Sequence, residues 1–210
     1  MNIILDLDET LINANPMTDF NVKDYEKRFL PKLDELSDKD VIEPFERHNM
    51  DDYYMVFERP HLQKFLDYLF SNFRVSVWTA ASQSYALFII EKIILADKPL
   101  RHLDYIFFSY HCGVSKKFAK KSKALHIFWD KYNLSGYNAE NTLIIDDNKE
   151  VYETQPKNCI IAKEFTIDND DADKDVFLIE LIPKLQHVKN QGVITDTTTE
   201  KINTVVVDKR

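Results

Sequence analysis

The sequence predicts an α/β fold: a central, mostly parallel sheet flanked by helices, with a small insertion after the first strand. Three observations carry this. Short apolar runs rich in Ile, Val and Leu alternate along the chain with segments whose apolar residues recur at helical spacing. The apolar runs are nearly continuous, as expected of strands covered on both faces. Three of them run directly into polar residues capable of chemistry, Asp6, Thr79 and Asp146, and a parallel sheet gathers such strand ends on one rim.

The first strand is Ile3–Leu5. Residues 13 to 54 then break the alternation: they are charged, hold Pro16, Pro31 and Pro44, and show no clear β-α pattern. Tyr25, Phe29, Leu33 and Leu36 are spaced for one short helix, and the chain returns through Tyr54–Glu58. An insertion there sits above the strand C-termini, where open α/β sheets bind ligands; the plainer reading is a surface loop. Pro60 can open a helix at its first position, and Leu62, Phe65, Leu66, Leu69 and Phe73 follow on one face. Next come a strand at Val75–Trp78, a helix from Ser82 or Ser84 to Leu95, and a strand at Tyr105–Phe108. A third helix carries Leu125, Phe128, Trp129 and Tyr132, and two more strands lie at Leu143–Ile145 and Cys159–Ala162. A last helix covers about Lys174–His187, with Pro183 expected to kink or shorten it. The acidic stretch Asp168–Asp173 lacks EF-hand spacing and reads as a solvated loop. The expected organisation is one domain over 1–188 and a polar, threonine-rich tail over 189–210, in which Val205–Val207 adds an edge strand or the tail stays mobile.

The 210 residues are 44% hydrophobic and 12% aromatic, enough for a sizeable core, and carry a net charge of −8. That balance argues against a general nucleic-acid binder, which presents a basic face, but leaves room for a local basic patch. Cys112 and Cys159 are far apart and outside CxxC spacing, so neither a disulfide framework nor a zinc site is expected, and a reducing compartment is the default. No apolar stretch approaches the ~20 residues that span a bilayer. The start Met-Asn-Ile-Ile-Leu-Asp reads as too short and acidic for a signal peptide, and with a motif at residue 6 no preceding regulatory domain is expected. A cytoplasmic or nuclear protein is expected.

The chemistry begins at Asp6-Leu7-Asp8-Glu9-Thr10. Two carboxylates one residue apart at the end of a buried strand are costly and raise each other's pKa, so a cation between them or a reactive role is implied. Three further positions follow in order: Thr79 after Val75–Trp78; a lysine from the cluster Lys116, Lys117, Lys120, Lys121 and Lys123; and Asp146-Asp147 after Leu143–Ile145. Phosphoryl transfer to a carboxylate explains the set. A nucleophilic Asp beside an anionic phosphate needs a divalent cation to screen the repulsion, and carboxylates plus a backbone carbonyl suit Mg²⁺. A second acid protonates the leaving oxygen and then activates water. A threonine hydroxyl, backbone N–H groups and a lysine hold the phosphoryl oxygens.

Asp6-Leu7-Asp8-Glu9-Thr10-Leu11 resembles the first motif of haloacid-dehalogenase-like phosphatases. The chain looks, more narrowly, like their FCP/SCP-type, NLI-interacting-factor-like branch, which dephosphorylates the C-terminal domain (CTD) of RNA polymerase II. Further echoes are Glu58-Arg59-Pro60-His61 with Phe65-Leu66, Val77-Trp78-Thr79-Ala80-Ala81, Lys123-Ala124-Leu125 before Ile127–Tyr132, and Asn141–Asn148. The resemblance spans about residues 2–188 and implies a three-layer HAD-like fold. It implies that Asp6 is the nucleophile, and that Asp8 is the general acid/base and lends its backbone carbonyl to Mg²⁺. Asp147 aligns with the family's metal ligand, and Asp146 supports the lysine and metal shell. Thr79 binds phosphate, with Ala80 and Thr10 beside it. Lys123 fits the family's lysine best, with Lys120 and Lys121 as alternatives.

Arg59 has two readings: a surface residue before a helix, or a group near a phosphopeptide. His61 reads as structural, and Trp78 and Trp129 as core. Cys112, beside His111, lacks the base and anion cradle a catalytic thiol needs. The leading expectation is a Mg²⁺-dependent phosphoserine/phosphothreonine protein phosphatase whose partner is a phosphorylated protein or peptide. Two alternatives keep the motifs: a phosphatase for a small phosphomonoester or nucleic-acid 3′-phosphate, and a phosphopeptide-binding scaffold without turnover.

Overall fold

The computed structural model describes residues 1–30, 43–195 and 198–207. Its centre is a five-stranded sheet in the order β6-β5-β1-β7-β8, with β1 (Asn2–Leu5), β5 (Arg74–Trp78), β6 (Leu103–Phe107), β7 (Thr142–Asp146) and β8 (Cys159–Ile161). All four pairings are parallel. β1 lies in the middle, and Ile3, Ile4 and Leu5 are fully buried, which is why this run carries no polar alternation. Helices α2 (Leu62–Asn72) and α6 (Phe177–Gln191) pack against each other, with α2 on β5. α3 (Gln83–Ile89) continues as a π-helical turn over Ile90–Leu95. α4 (Ser109–Ala119) packs on β6, and α5 (Lys149–Thr154) on β8.

The insertion is not irregular. β2 (Ile12–Pro16), β4 (Tyr54–Glu58) and β3 (Arg47–Met50) form an antiparallel sheet in the order β2-β4-β3. α1 (Val22–Phe29) packs Tyr25 against Phe57 of β4 and is capped by the Asn21 side chain, which accepts from the Lys23 and Asp24 amides. Phe20, Tyr25, Phe29, Phe45, Phe57 and Phe165 make an aromatic cluster between this sheet and the segment after β8. Burial raises the Tyr25 hydroxyl to about 12. Tyr25 and Phe29 sit on the expected helix; Leu33 and Leu36 lie outside the described residues.

Other expectations are corrected. Pro60 does not open α2: His61 takes the left-handed conformation (φ 68°) at the N-cap and Leu62 is the first helical residue. The helix expected around Leu125–Tyr132 is a single π-helical turn, Ile127–Lys131. α6 starts and ends later than expected and runs through Pro183. Val205–Val207 is not a strand: Thr198–Val207 forms helix α7, packed on β8. From α7 the Asn203 amide donates to Cys159 O and accepts from Ile161 N, each at 3.1 Å. A side-chain amide thus satisfies the open edge of β8, which would otherwise be free to pair.

Candidate active site

The C-terminal ends of the central strands converge, as a parallel sheet requires. Asp6 follows β1, Thr79 follows β5, and Asp146 ends β7 with Asp147 next to it. Carboxylate oxygens of Asp6, Asp146 and Asp147 come within 4.8 Å of one another. Lys123 Nζ stands 2.6 Å from Asp6 Oδ1 and 2.8 Å from Asp146 Oδ2. Lys116, Lys117, Lys120 and Lys121 are exposed, so Lys123 is the member of the cluster that reaches the acidic group.

The loop carrying Lys123 is held from two sides. Ser115 Oγ donates to Lys121 O (2.7 Å) and accepts from Ala124 N (2.9 Å). The Gln155 amide donates to Lys123 O and accepts from Leu125 N, both at 2.9 Å. These bonds fix a lysine whose own backbone is left-handed, φ 49°. Neither Ser115 nor Gln155 is marked by any local motif.

Charge is unbalanced here: one ammonium faces Asp6, Asp146 and Asp147, with Asp8 nearby. Burial raises the Asp6 carboxyl well above its ordinary range; Lys123 opposes this, while Asp146 and Asp147 add to it. Burial likewise raises Asp146 against the pull of Lys123. For Lys123, burial favours the neutral amine, but Asp6 and Asp146 together outweigh it and hold the ammonium above its usual value. The donor set is all oxygen and its charge is not compensated, which fits a hard divalent cation such as Mg²⁺. Asp146 is engaged already, with Oδ2 on Lys123 and Oδ1 accepting from Asn148 N at 2.9 Å.

Asp8 stands apart. Its carboxylate accepts a hydrogen bond from the Tyr85 hydroxyl at 2.5 Å and does not share the oxygen cluster of the other three. Burial raises Asp8, with the Tyr85 bond and Lys123 opposing. Thr79 is buried; its Oγ1 accepts from Ala81 N at 3.0 Å. Its hydroxyl hydrogen has no acceptor among the described residues, so it can donate to an anionic oxygen. Ala80 is exposed on the same rim.

Two residues expected to touch substrate do other work. Thr10 is fully buried; its Oγ1 donates to Asp147 Oδ1 and accepts from Asp147 N, both at 3.1 Å. It orients Asp147. Arg59 is neither at the surface nor open to a peptide: its side chain is 0% exposed. Nε and Nη2 bind Asp175 at 2.9 and 2.8 Å, and Nη1 donates to Thr10 O at 2.9 Å. The rings of Phe177 and Phe165 lie 4.5 and 5.5 Å from its guanidinium carbon. Arg59 therefore braces the Asp6–Thr10 loop from behind. Trp78 is buried in the core and Trp129 packs at its margin. Cys112 is buried, with Sγ 3.7 Å from Thr79 O.

The sequence profile of the NLI interacting factor-like phosphatases matches residues 1–196. The chain belongs to this family. It is thus an FCP/SCP-type phosphatase of HAD-like fold, a hydrolase of phosphoesters. A CTD phosphatase-like protein of invertebrate iridescent virus 6 is 45% identical over 183 residues, covering 86% of this chain and 94% of the viral one. Its counterpart in invertebrate iridescent virus 3 is 38% identical over 192 residues, covering 89% and 96%. The ubiquitin-like domain-containing CTD phosphatase 1 of Danio rerio is 24% identical over 133 residues, 62% of this chain and 42% of that protein. Among solved structures, Fcp1, an essential RNA polymerase II CTD phosphatase, superposes with a TM-score of 0.50 at 21% identity over 90% of this chain. The chain spans 49% of the length of that structure, and the likeness is one of fold.

Proposed function

We propose that this phosphatase removes phosphate from phosphoserine or phosphothreonine of a protein, in a Mg²⁺-dependent reaction through an aspartyl-phosphate on Asp6. The carrying observation is the pairing of Lys123 Nζ with Asp6 Oδ1 at 2.6 Å inside an acidic cluster that retains excess negative charge. The lysine points the nucleophile and neutralises part of its charge; the excess calls for a cation. The protein substrate is supported by the CTD phosphatase-like relatives.

In this reading an Asp6 carboxylate oxygen bonds to phosphorus as the bond from phosphorus to the serine oxygen breaks. The proton on the Asp8 carboxyl passes to that departing oxygen. The ionised Asp8 then takes a proton from the water that attacks the phosphoryl group. The bond from Asp6 to phosphorus breaks, inorganic phosphate leaves, and both carboxyls are restored. General acid–base help of this kind is worth roughly 10²–10⁴-fold. Thr79 Oγ1–H and Lys123 donate to the phosphoryl oxygens. Asp6, Asp147 and the Asp8 carbonyl would hold Mg²⁺, with Thr10 orienting Asp147 and Asp146 orienting Lys123; bound there, the ion supplies charge neutralisation for the phosphoryl oxygens.

Phosphate release from phosphoserine and phosphothreonine peptides tests this, with wild type and Asp6→Asn compared in Mg²⁺ and in EDTA. Release by wild type in Mg²⁺, with loss in EDTA and in the variant, is expected. Undiminished release by Asp6→Asn sinks the mechanism. A panel of phosphorylated metabolites and oligonucleotides that outcompetes the peptides reassigns the substrate.

A further inference from the structure

Tyr85 approaches Asp8 from the opposite side of the sequence, 77 residues away. It lies in the first turn of α3, whose N-terminus is fixed by Ser82 Oγ accepting from Tyr85 N at 3.3 Å. The ring is almost wholly buried. Its outer face meets Tyr54, the first residue of β4 in the insertion, edge-on, with centroids 5.7 Å apart and planes at 84°. A hydroxyl held this tightly cannot swing away, and its hydrogen is committed to Asp8 Oδ1 at 2.5 Å.

We propose that Tyr85 is a positioning residue for the general acid: by donating to Asp8 Oδ1 it confines the transferable proton to Oδ2, and Tyr54 extends this support from the insertion sheet. A hydrogen bond accepted by Oδ1 occupies one of that oxygen's lone pairs and favours the form of the carboxyl with its proton on Oδ2. Rotation about the Cβ–Cγ bond would otherwise exchange the two oxygens and leave the proton facing away from the leaving group for part of the time. A torsion of this sp³–sp² kind is broad when unrestrained. The insertion then has a task in the chemistry.

The proposal rests on Asp8 being the acid, and the test separates the two claims. kcat/KM covers the steps up to formation of the aspartyl-phosphate, where the acid matters in proportion to how poor the leaving group is. The experiment uses the full chain with Mg²⁺, a series of aryl phosphates of graded leaving-group pKa, and one phosphoserine peptide. Tyr85→Phe keeps the ring and removes the hydroxyl. Its loss in kcat/KM should grow along the series, to roughly 10–100-fold on the phosphoserine peptide, so that the dependence on leaving-group pKa is steeper than in wild type. Tyr54→Leu should steepen it less. A loss that is the same for every leaving group, or no loss, overturns the proposal. Near-ultraviolet circular dichroism checks folding, and should Tyr85→Phe fail to fold, Tyr54→Leu decides on the same readout. Activity retained by Asp6→Asn refutes the underlying mechanism whatever Tyr85→Phe does.

Discussion

Two buried charge clusters lie on either side of the Asp6–Thr10 loop, and they are built on opposite terms. Behind the loop, Arg59 and Asp175 form a closed pair: one guanidinium, one carboxylate, two parallel hydrogen bonds and a third to Thr10 O. In front of it, Lys123 serves Asp6 and Asp146 while Asp147 adds another carboxylate. In the first cluster the two charges cancel, and the guanidinium is shut away from solvent. The second holds excess negative charge, and burial raises the Asp6 and Asp146 carboxyls above their ordinary range. Charge balance, more than burial, separates the two clusters.

The sharpest way to break this comparison is to remove the nucleophile. Asp6→Asn should lower phosphate release by about 10⁴-fold or more, with the unfolding midpoint little changed. Lys123→Met should cost roughly 10²–10³-fold in kcat, the scale of a lost electrostatic partner. It should also destabilise the apo protein, since Asp6 and Asp146 then face each other without a cation.

A matched pair of amide substitutions reads the charge balance directly. Asp175→Asn leaves Arg59 buried without its counter-charge and should cost about 3–5 kcal/mol in chemical denaturation. Asp147→Asn relieves repulsion and keeps an oxygen for Thr10, so the apo protein should be as stable or more so. Calorimetric titration should show Mg²⁺ binding to that variant roughly tenfold or more weaker. If both amides destabilise alike, the two clusters are not different in kind. The smallest effect is expected at Ser115→Ala, which loosens the Lys123 loop: about 1–3 kcal/mol in stability and a fall in kcat smaller than that of Lys123→Met.

The carboxylates of the open cluster are legible in the sequence because Asp6 and the pair Asp146-Asp147 stand at the ends of short apolar strands, and that signal is local. The closed cluster is not. Arg59 meets Asp175 across 116 residues, and nothing near either residue announces the other. The same holds for Ser115, Gln155 and the contact of Tyr85 with Asp8. The strands β2 and β3 of the insertion are silent in the sequence for another reason. β2 reads Ile-Asn-Ala-Asn-Pro and β3 Arg-His-Asn-Met, polar strands that an antiparallel sheet with one solvated face tolerates and that propensity scores as loop. Val205–Val207 has strand-forming composition, but packing on β8 and the Asn203 bonds favour a helix there. Pro60 shows that a good first-turn residue does not begin a helix when the next residue takes a left-handed turn.

The central claim is that Asp6 carries the phosphoryl group. Asp8→Asn can still form the aspartyl-phosphate from a substrate with a good leaving group, but it has no base to activate water, so the intermediate should accumulate. Acid-quenched mass spectrometry of this variant, incubated with an aryl phosphate and Mg²⁺, should find about one phosphoryl adduct per chain, on the peptide containing Asp6. Release of the aryl alcohol with no adduct, or with the adduct on another residue, would contradict the account.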